Sequence, residues 1–183
     1  VPHNENMVVK RYSLKSTYSQ SKYLATNHLI DLYKKYQFPV VIFRLYLTYG
    51  PGQAPNRIIP IVIQNCLRNL NFNVSSGIQI RDFIFIDDLL SVVYRSLKTN
   101  KNIGKIYNLA SGKPIQIKKL IEKIVFKVGG GKPIYGKIPL RKDEQLKIYS
   151  SIKKLKRDYK FLPKYPIDKG LDKTIKFYKK TLK

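Results

Sequence analysis

Residues 39–45, Pro-Val-Val-Ile-Phe-Arg-Leu, stay apolar without alternation up to Arg44. A strand with one wet face alternates polar and apolar residues; a short run that does not is buried on both sides, as in a parallel sheet covered by helices. Parallel strands need crossover connections, usually helical, and the flanking sequence offers them. Over residues 16–36, Leu24, Leu29, Leu32 and Tyr36 recur at roughly helical spacing behind Ser16 and Thr17 as caps, with Asp31, Lys34 and Lys35 on the polar side. Beyond the Gly50-Pro51-Gly52 break, the pattern predicts a helix over 58–70, a strand over 80–86 and a helix to about Lys98 capped by Asp87 and Asp88. A strand over 104–109 follows, then helices over 118–128, 152–159 and 168–180, with 129–133 as a loop. Helix and strand in this rhythm predict an α/β fold.

With 183 residues, 43% of them hydrophobic, the chain can bury the core of one ordinary domain. Its longest apolar stretches are far shorter than the roughly 20 residues that span a bilayer, so no membrane segment is expected. Cys66 is the single cysteine, and residues 1–6 have neither a basic nor an apolar leader region, which points to a reducing cytoplasm. The net charge of +25 is also the footprint of a nucleic-acid binder. Against that reading, 28 of the 36 basic residues are lysines scattered through helical patterns, and no aromatic residues interleave with arginine to make a base-stacking platform. The charge is read as solvated helix faces, whose field would also help to capture a diphosphate.

Tyr18-Ser-Gln-Ser-Lys22 sets a phenol and an ammonium four residues apart on one helix face. A phenol is ordinarily a poor base at neutral pH, but a neighbouring cation favours its ionised form, and it can then take a proton from a hydroxyl. The spacing alone is weak: 14 tyrosines and 28 lysines in 183 residues give about two such pairs by chance, and Tyr94/Lys98, Tyr149/Lys153 and Tyr165/Lys169 fit as well. These three are read as amphipathic surface residues, so Tyr18 must be chosen by its context.

The context is a series of motifs along the chain. Tyr18 to Lys22 resembles the Y-x-x-S-K helix of the extended short-chain dehydrogenases, Arg44 to Pro51 their R-x-x-N-x-Y-G-P, and Arg81 to Asp88 their R-D-F-[IL]-[YH]-V-x-D. Gly104 to Gly112 and Lys164 to Ile175 resemble later motifs of the same family in the same order. The resemblance, to nucleotide-sugar epimerases and dehydratases and nearest to CDP-abequose synthase relatives, implies redox chemistry at a sugar carbon, C4 in most members, with NAD or NADP taking the hydride and Tyr18 the hydroxyl proton. It implies that Lys22 also meets the nicotinamide ribose, that Arg81 and Arg57 meet the substrate diphosphate, and that Arg141 and Glu144 pair phosphate and nucleotide ribose. Arg44 is assigned a structural place at the strand end, and His3 and His28 the surface.

The expected architecture is the later part of a Rossmann-type doubly wound parallel sheet, residues 1–50 and 80–112, with a smaller, mainly helical nucleotide-sugar-binding domain, residues 51–79 and 113–183. No glycine precedes Gly50, so the glycine-rich turn that cradles a pyrophosphate is missing, as is the family's catalytic Ser/Thr, which lies about two dozen residues before the tyrosine. Ser13, Ser16 and Thr17 are too close to replace it. The chain is therefore expected to be part of a longer protein or the product of a truncated gene, inactive alone. The expected partners are a nucleotide-diphosphate sugar and, in the full-length enzyme, a second copy, with no nucleic acid and no membrane. Leu47 departs from the family's Asn. A rival reading is a non-catalytic remnant that keeps the sugar-nucleotide pocket or an interface.

Overall fold

The computed structural model describes residues 2–7, 14 and 16–181. Helix α1 (Thr17–Tyr36) begins where the Ser16 hydroxyl accepts the amide of Ser19 and ends at Gln37, which takes the left-handed conformation. Strand β1 (Ile42–Leu45) follows, shorter than the apolar run, although just before it the Val40 carbonyl accepts the Gly104 amide at 2.7 Å. β1 lies parallel to β5 (Ile106–Leu109). At Tyr46, whose amide still donates to Leu109, the chain leaves β5. Residues 47–49 then form β2 (Leu47–Tyr49), parallel to β4 (Ile80–Phe85) with Leu47 opposite Phe83. The stretch from Ile42 to Tyr49 thus serves two partners, β5 and then β4, with a change of partner at Tyr46.

Helix α2 (Ile58–Leu67) stops short of residue 70, because Asn69 turns left-handed with φ 52°. The short strand β3 (Asn71–Asn73) pairs in parallel with β7 (Lys132–Ile134), so part of the glycine-rich 129–133 loop is strand. Helix α3 (Ile86–Ser96) corrects one expectation: neither Asp87 nor Asp88 caps it, both lying inside its first turn. The Asp88 carboxylate, 2% exposed, instead accepts the amides of Lys164 at 2.9 Å and Tyr165 at 3.0 Å, tying α3 to the approach of the last helix. β6 (Pro114–Gln116) runs antiparallel to β4, and β8 (Lys147–Ile148) runs parallel to it with Ile148 opposite Arg81. α4 (Ile117–Val128), α5 (Lys153–Tyr159) and α6 (Ile167–Thr181) complete the α/β fold that the sequence predicts.

Two apolar clusters hold the molecule. One joins Ile59, Val62 and Ile63 of α2, Leu120, Ile121 and Ile124 of α4, and Leu171, Ile175 and Tyr178 of α6 to Tyr49, Phe83 and Phe85. The other joins Ile84, Leu89 and Val92 to Tyr107, Leu109 and Leu155, so that α5 packs on β5 and α3. Between them runs Asp82, 1% exposed, which accepts from the amide and hydroxyl of Ser111 and from the amide of Gly112. α1 belongs to neither cluster and has no fully buried residue. It is located by Gly104, where a Cβ would fall 2.1 Å from the Tyr33 ring and the backbone takes φ +77°. His3 is half-buried, bridging to Ser150, not the surface residue expected, whereas His28 is exposed.

Candidate active site

A cleft of about 770 Å³ opens beside the strand switch, where Leu45, Tyr46 and Leu47 meet the start of α2 and the face of β4. Ligands of α/β sheets sit at carboxyl ends of strands near such changes of partner. α1 contributes Tyr18, the approach to α2 contributes Arg57, and β4 contributes Arg81. Three residues from three elements, separated by up to 63 positions, thus line one cavity.

Tyr18 is 72% exposed, so no apolar core packs around its hydroxyl. The Lys22 ammonium stands 5.5 Å from the centre of its ring, as the one-turn spacing requires. The same stacking occurs at Tyr94/Lys98 (4.2 Å) and Tyr165/Lys169 (5.1 Å), so the pair geometry does not single out Tyr18. Its place does, since neither of those tyrosines lines this cleft. Tyr165 also corrects its assignment to the surface: its ring lies 4.6 Å from that of Phe85 and packs on the α2–α4–α6 core.

Arg81 is fixed by its neighbours. One terminal nitrogen donates to the carbonyls of Ile80 at 2.9 Å and Leu146 at 3.4 Å, and the other forms an ion pair with Glu144. Both partners of that pair are largely covered, which makes it a firmer anchor than an exposed ion pair. Glu144 reaches Arg81 because its own amide is turned back onto the Arg141 carbonyl at 3.0 Å. Arg141 itself is exposed and its side chain is not among those lining the cleft. Arg44, half-buried in β1, donates to the Glu5 carbonyl at 3.4 Å.

Two features here were not singled out from the sequence, the amides at the start of α2 and Tyr46. Arg57, which was, is the residue before α2; no side chain caps that helix, and its first turn has no acidic residue. Ile58 and Ile59, whose amides are the first two of the helix and have no side-chain cap, both line the cleft, and a helix N-terminus with uncapped amides attracts anions. Arg-Ile-Ile-Pro could have signalled this, since Pro60 in the first turn marks a helix start. Tyr46 is a second phenol in the cleft; burial, above all, holds it above the usual phenol range, so it stays protonated at neutral pH. Nothing in Tyr46's own sequence surroundings marked it. Among the described residues no group of histidines, cysteines and carboxylates could hold a metal, and no helix is long and apolar enough to cross a membrane.

Comparison with known proteins agrees with the fold. Residues 1–110 match the NAD dependent epimerase/dehydratase family. The chain is 31% identical over 173 residues to CDP-abequose synthase of Salmonella muenchen, covering 91% of this chain and 57% of that one. It is 27% identical over 180 residues to dTDP-glucose 4,6-dehydratase of Neisseria gonorrhoeae, covering 91% and 51%. The X-ray structure of Pal from Bacillus thuringiensis superposes on all of this chain and 57% of its own with a TM-score of 0.85 at 30% identity. The chain thus spans about half the length of the curated relatives it matches, and this is their C-terminal half. On the family match and this shared fold, the chain belongs to the NAD dependent epimerase/dehydratase family.

Proposed function

We propose that the cleft binds a nucleotide-diphosphate sugar and that these residues form the substrate side of an NAD(P)-dependent epimerase, dehydratase or reductase acting at sugar C4. One observation carries the reading: a phenol with a neighbouring ammonium shares a single cavity with two guanidinium groups and an uncapped helix N-terminus. The cavity volume lies within the roughly 300–1,000 Å³ of small-molecule sites. The diphosphate lies against Arg57, Arg81 and the amides of Ile58 and Ile59, where positive charge and N–H donors converge. The sugar then extends toward Tyr18, whose hydroxyl exchanges a proton with the sugar oxygen.

The exposed Tyr18 and Lys22 side chains are hydrogen-bonding groups suited to a nicotinamide ribose, so they fit one end of NAD(P), which supplies hydride acceptance and return. No glycine-rich turn among the 183 residues fits its pyrophosphate. The purified chain is accordingly expected to bind the sugar nucleotide without turning it over. A cofactor side built on the β1, β5 and α3 cluster and a sugar side built on the α2, α4 and α6 cluster are supported by the two cores only coarsely, since α5, within 113–183, packs on the first and Tyr49, Phe83 and Phe85, within 1–50 and 80–112, pack on the second. A dimer of the longer enzyme is supported by the apolar residues that α1 leaves open, Leu24 and Tyr36 at 47% and 74% exposure.

The test is Tyr18→Phe in a polypeptide that joins these residues to a glycine-rich cofactor half. Turnover falls by roughly 10² to 10⁴, the usual worth of a positioned acid or base, while sugar-nucleotide affinity changes little. Tyr46→Phe and Tyr94→Phe are the controls. Unimpaired turnover in the Tyr18 variant, or an equal loss at Tyr94, would show that the wrong pair was chosen. The rival reading, a non-catalytic remnant, predicts binding but no turnover even in the joined protein.

A further inference from the structure

The loop between β2 and α2 brings Asn56 and Arg57 into the cleft, yet little holds it in place. Of residues 51–57 only Gln53 is partly covered, and the other six are exposed. Two turns close within the loop, the Gln53 amide donating to the Gly50 carbonyl at 3.4 Å and the Arg57 amide to the Ala54 carbonyl at 3.1 Å. Among the described residues, the hydrogen bonds that join 51–56 to the rest of the molecule both fall on Gln53. Its side-chain amide donates to the Thr48 carbonyl in β2 at 2.7 Å, and its backbone carbonyl accepts the Tyr178 hydroxyl at 2.6 Å. Tyr178 reaches it from the last helix, 125 positions away, with its ring packed in the α2–α4–α6 core at 7% exposure. Burial holds this phenol above the usual range, so it remains a donor at neutral pH.

We propose that Tyr178 is a positioning residue, whose hydroxyl pins the Gln53 carbonyl and through it sets where Arg57 stands in the cleft. The proposal rests on the reading that Arg57 meets the diphosphate of a nucleotide sugar. Gln53 precedes Arg57 by four residues, a reach of about 14 Å when extended, so without the pin the guanidinium ranges over several ångströms. A charge-assisted contact to a phosphate oxygen forms only at about 2.7–2.9 Å. A loop already held in its bound form has less freedom to lose when the ligand arrives, and the difference appears as affinity. Tyr178 is a suitable anchor because its own ring is fixed in the core, while the Thr48 carbonyl ties the same Gln53 to the strand beside the cleft. Proton transfer at Tyr18 and Lys22 belongs to α1, so Tyr178 acts on binding and not on the chemical step.

Tyr178→Phe removes one oxygen and keeps the ring in the core. Amide hydrogen exchange of residues 50–57 reads the loop directly, and isothermal titration of the 183-residue chain with UDP, CDP and dTDP reads the phosphate site. One neutral hydrogen bond is worth roughly two- to tenfold, so the variant is expected to exchange these amides about fivefold faster and to bind the nucleoside diphosphate about fivefold more weakly. Joined to a glycine-rich cofactor half, it raises KM by a similar factor and leaves kcat within about twofold. Thr174→Val removes another buried hydroxyl of α6, which donates to the Gly170 carbonyl at 2.8 Å, and is expected to move neither the loop exchange nor the affinity. In an Arg57→Ala background Tyr178→Phe is expected to cost less than about twofold in affinity, because the group it positions is gone. Unchanged loop exchange, unchanged affinity, an equal effect of Thr174→Val or full additivity with Arg57→Ala overturns the proposal and leaves the nucleotide-sugar reading standing. If none of the three diphosphates binds the wild-type chain, that reading itself fails and the positioning role falls with it.

Discussion

Replacing Asp82 by alanine is predicted to destabilise the chain far more than replacing Asp87, although the two acids are five positions apart. Asp82 is 1% exposed and accepts the Ser111 amide at 2.9 Å, the Ser111 hydroxyl at 2.6 Å and the Gly112 amide at 3.0 Å. In Asp82→Ala the hydroxyl can turn to the Lys113 carbonyl, 3.4 Å away, but the amides of Ser111 and Gly112, and that of Ser150 at 3.5 Å, lose their acceptor. Each buried, unpaired amide costs about 1–3 kcal/mol, and water entering the space left by the carboxylate recovers part of it, so a loss of about 3 kcal/mol is expected. Asp87 pairs with Lys173 at 3.3 Å, both side chains nearly half exposed, and such pairs contribute about 0–1 kcal/mol. Urea unfolding measures both variants, with the midpoint shifting and the slope unchanged if the folded state stays compact. A loss in Asp82→Ala no larger than in Asp87→Ala would refute the view that this carboxylate clamps β4 to the Ser111–Gly112 turn.

Gly170→Ala, normally worth about 1 kcal/mol in favour of a helix, is predicted to destabilise α6. The new Cβ would fall 2.0 Å from the Tyr49 hydroxyl and 2.9 Å from the Phe85 ring, in a buried cluster where overpacking costs about 1–3 kcal/mol; a raised urea midpoint would contradict this. Asp158 is held down to about 2, first by its hydrogen bond from the Arg157 guanidinium and then by that from the Tyr107 hydroxyl, against about 3.9 in an unfolded chain. Its folded value is depressed, so its contribution is complete above about pH 4 and is lost as the pH falls toward about 2. Melting temperature against pH should therefore fall less steeply over that window in Asp158→Asn, and an unchanged slope would count against the assignment. In the joined enzyme, Lys22→Met should weaken cofactor affinity and lower the rate together, because one ammonium serves both the ribose and Tyr18; a loss of only one of the two would separate those roles.

The main elements were legible because their patterns are local. The α1 cap at Ser16, the continuous apolar run at β1 and the spacing of Leu120, Ile121 and Ile124 in α4 each encode one element within a few residues. What was not legible depends on partners distant in sequence. β6, β7 and β8 are two or three residues long, too short for any period, and exist only because β3 and β4 lie beside them. Asp88 looked like a helix cap because it stands at a helix start; its actual partners lie 76 and 77 residues away. In the site, motifs singled out Tyr18, Arg57 and Arg81, and the fold puts these three in one cleft. The pairing of Glu144 with Arg81 was not readable, since Arg141 and Lys142 are the cations beside Glu144 in sequence and the turn that redirects Glu144 has no signature.

The most direct test of the account is a crystal structure of the chain with a bound nucleotide-diphosphate sugar. The account predicts phosphate oxygens within hydrogen-bonding distance of the Arg57 and Arg81 guanidinium groups and of the Ile58 and Ile59 amides, with the sugar beside Tyr18. A ligand seated elsewhere, for example in the cleft of about 550 Å³ lined by Glu5, Lys154 and Arg157, with Arg57 and Arg81 free of phosphate, would contradict it.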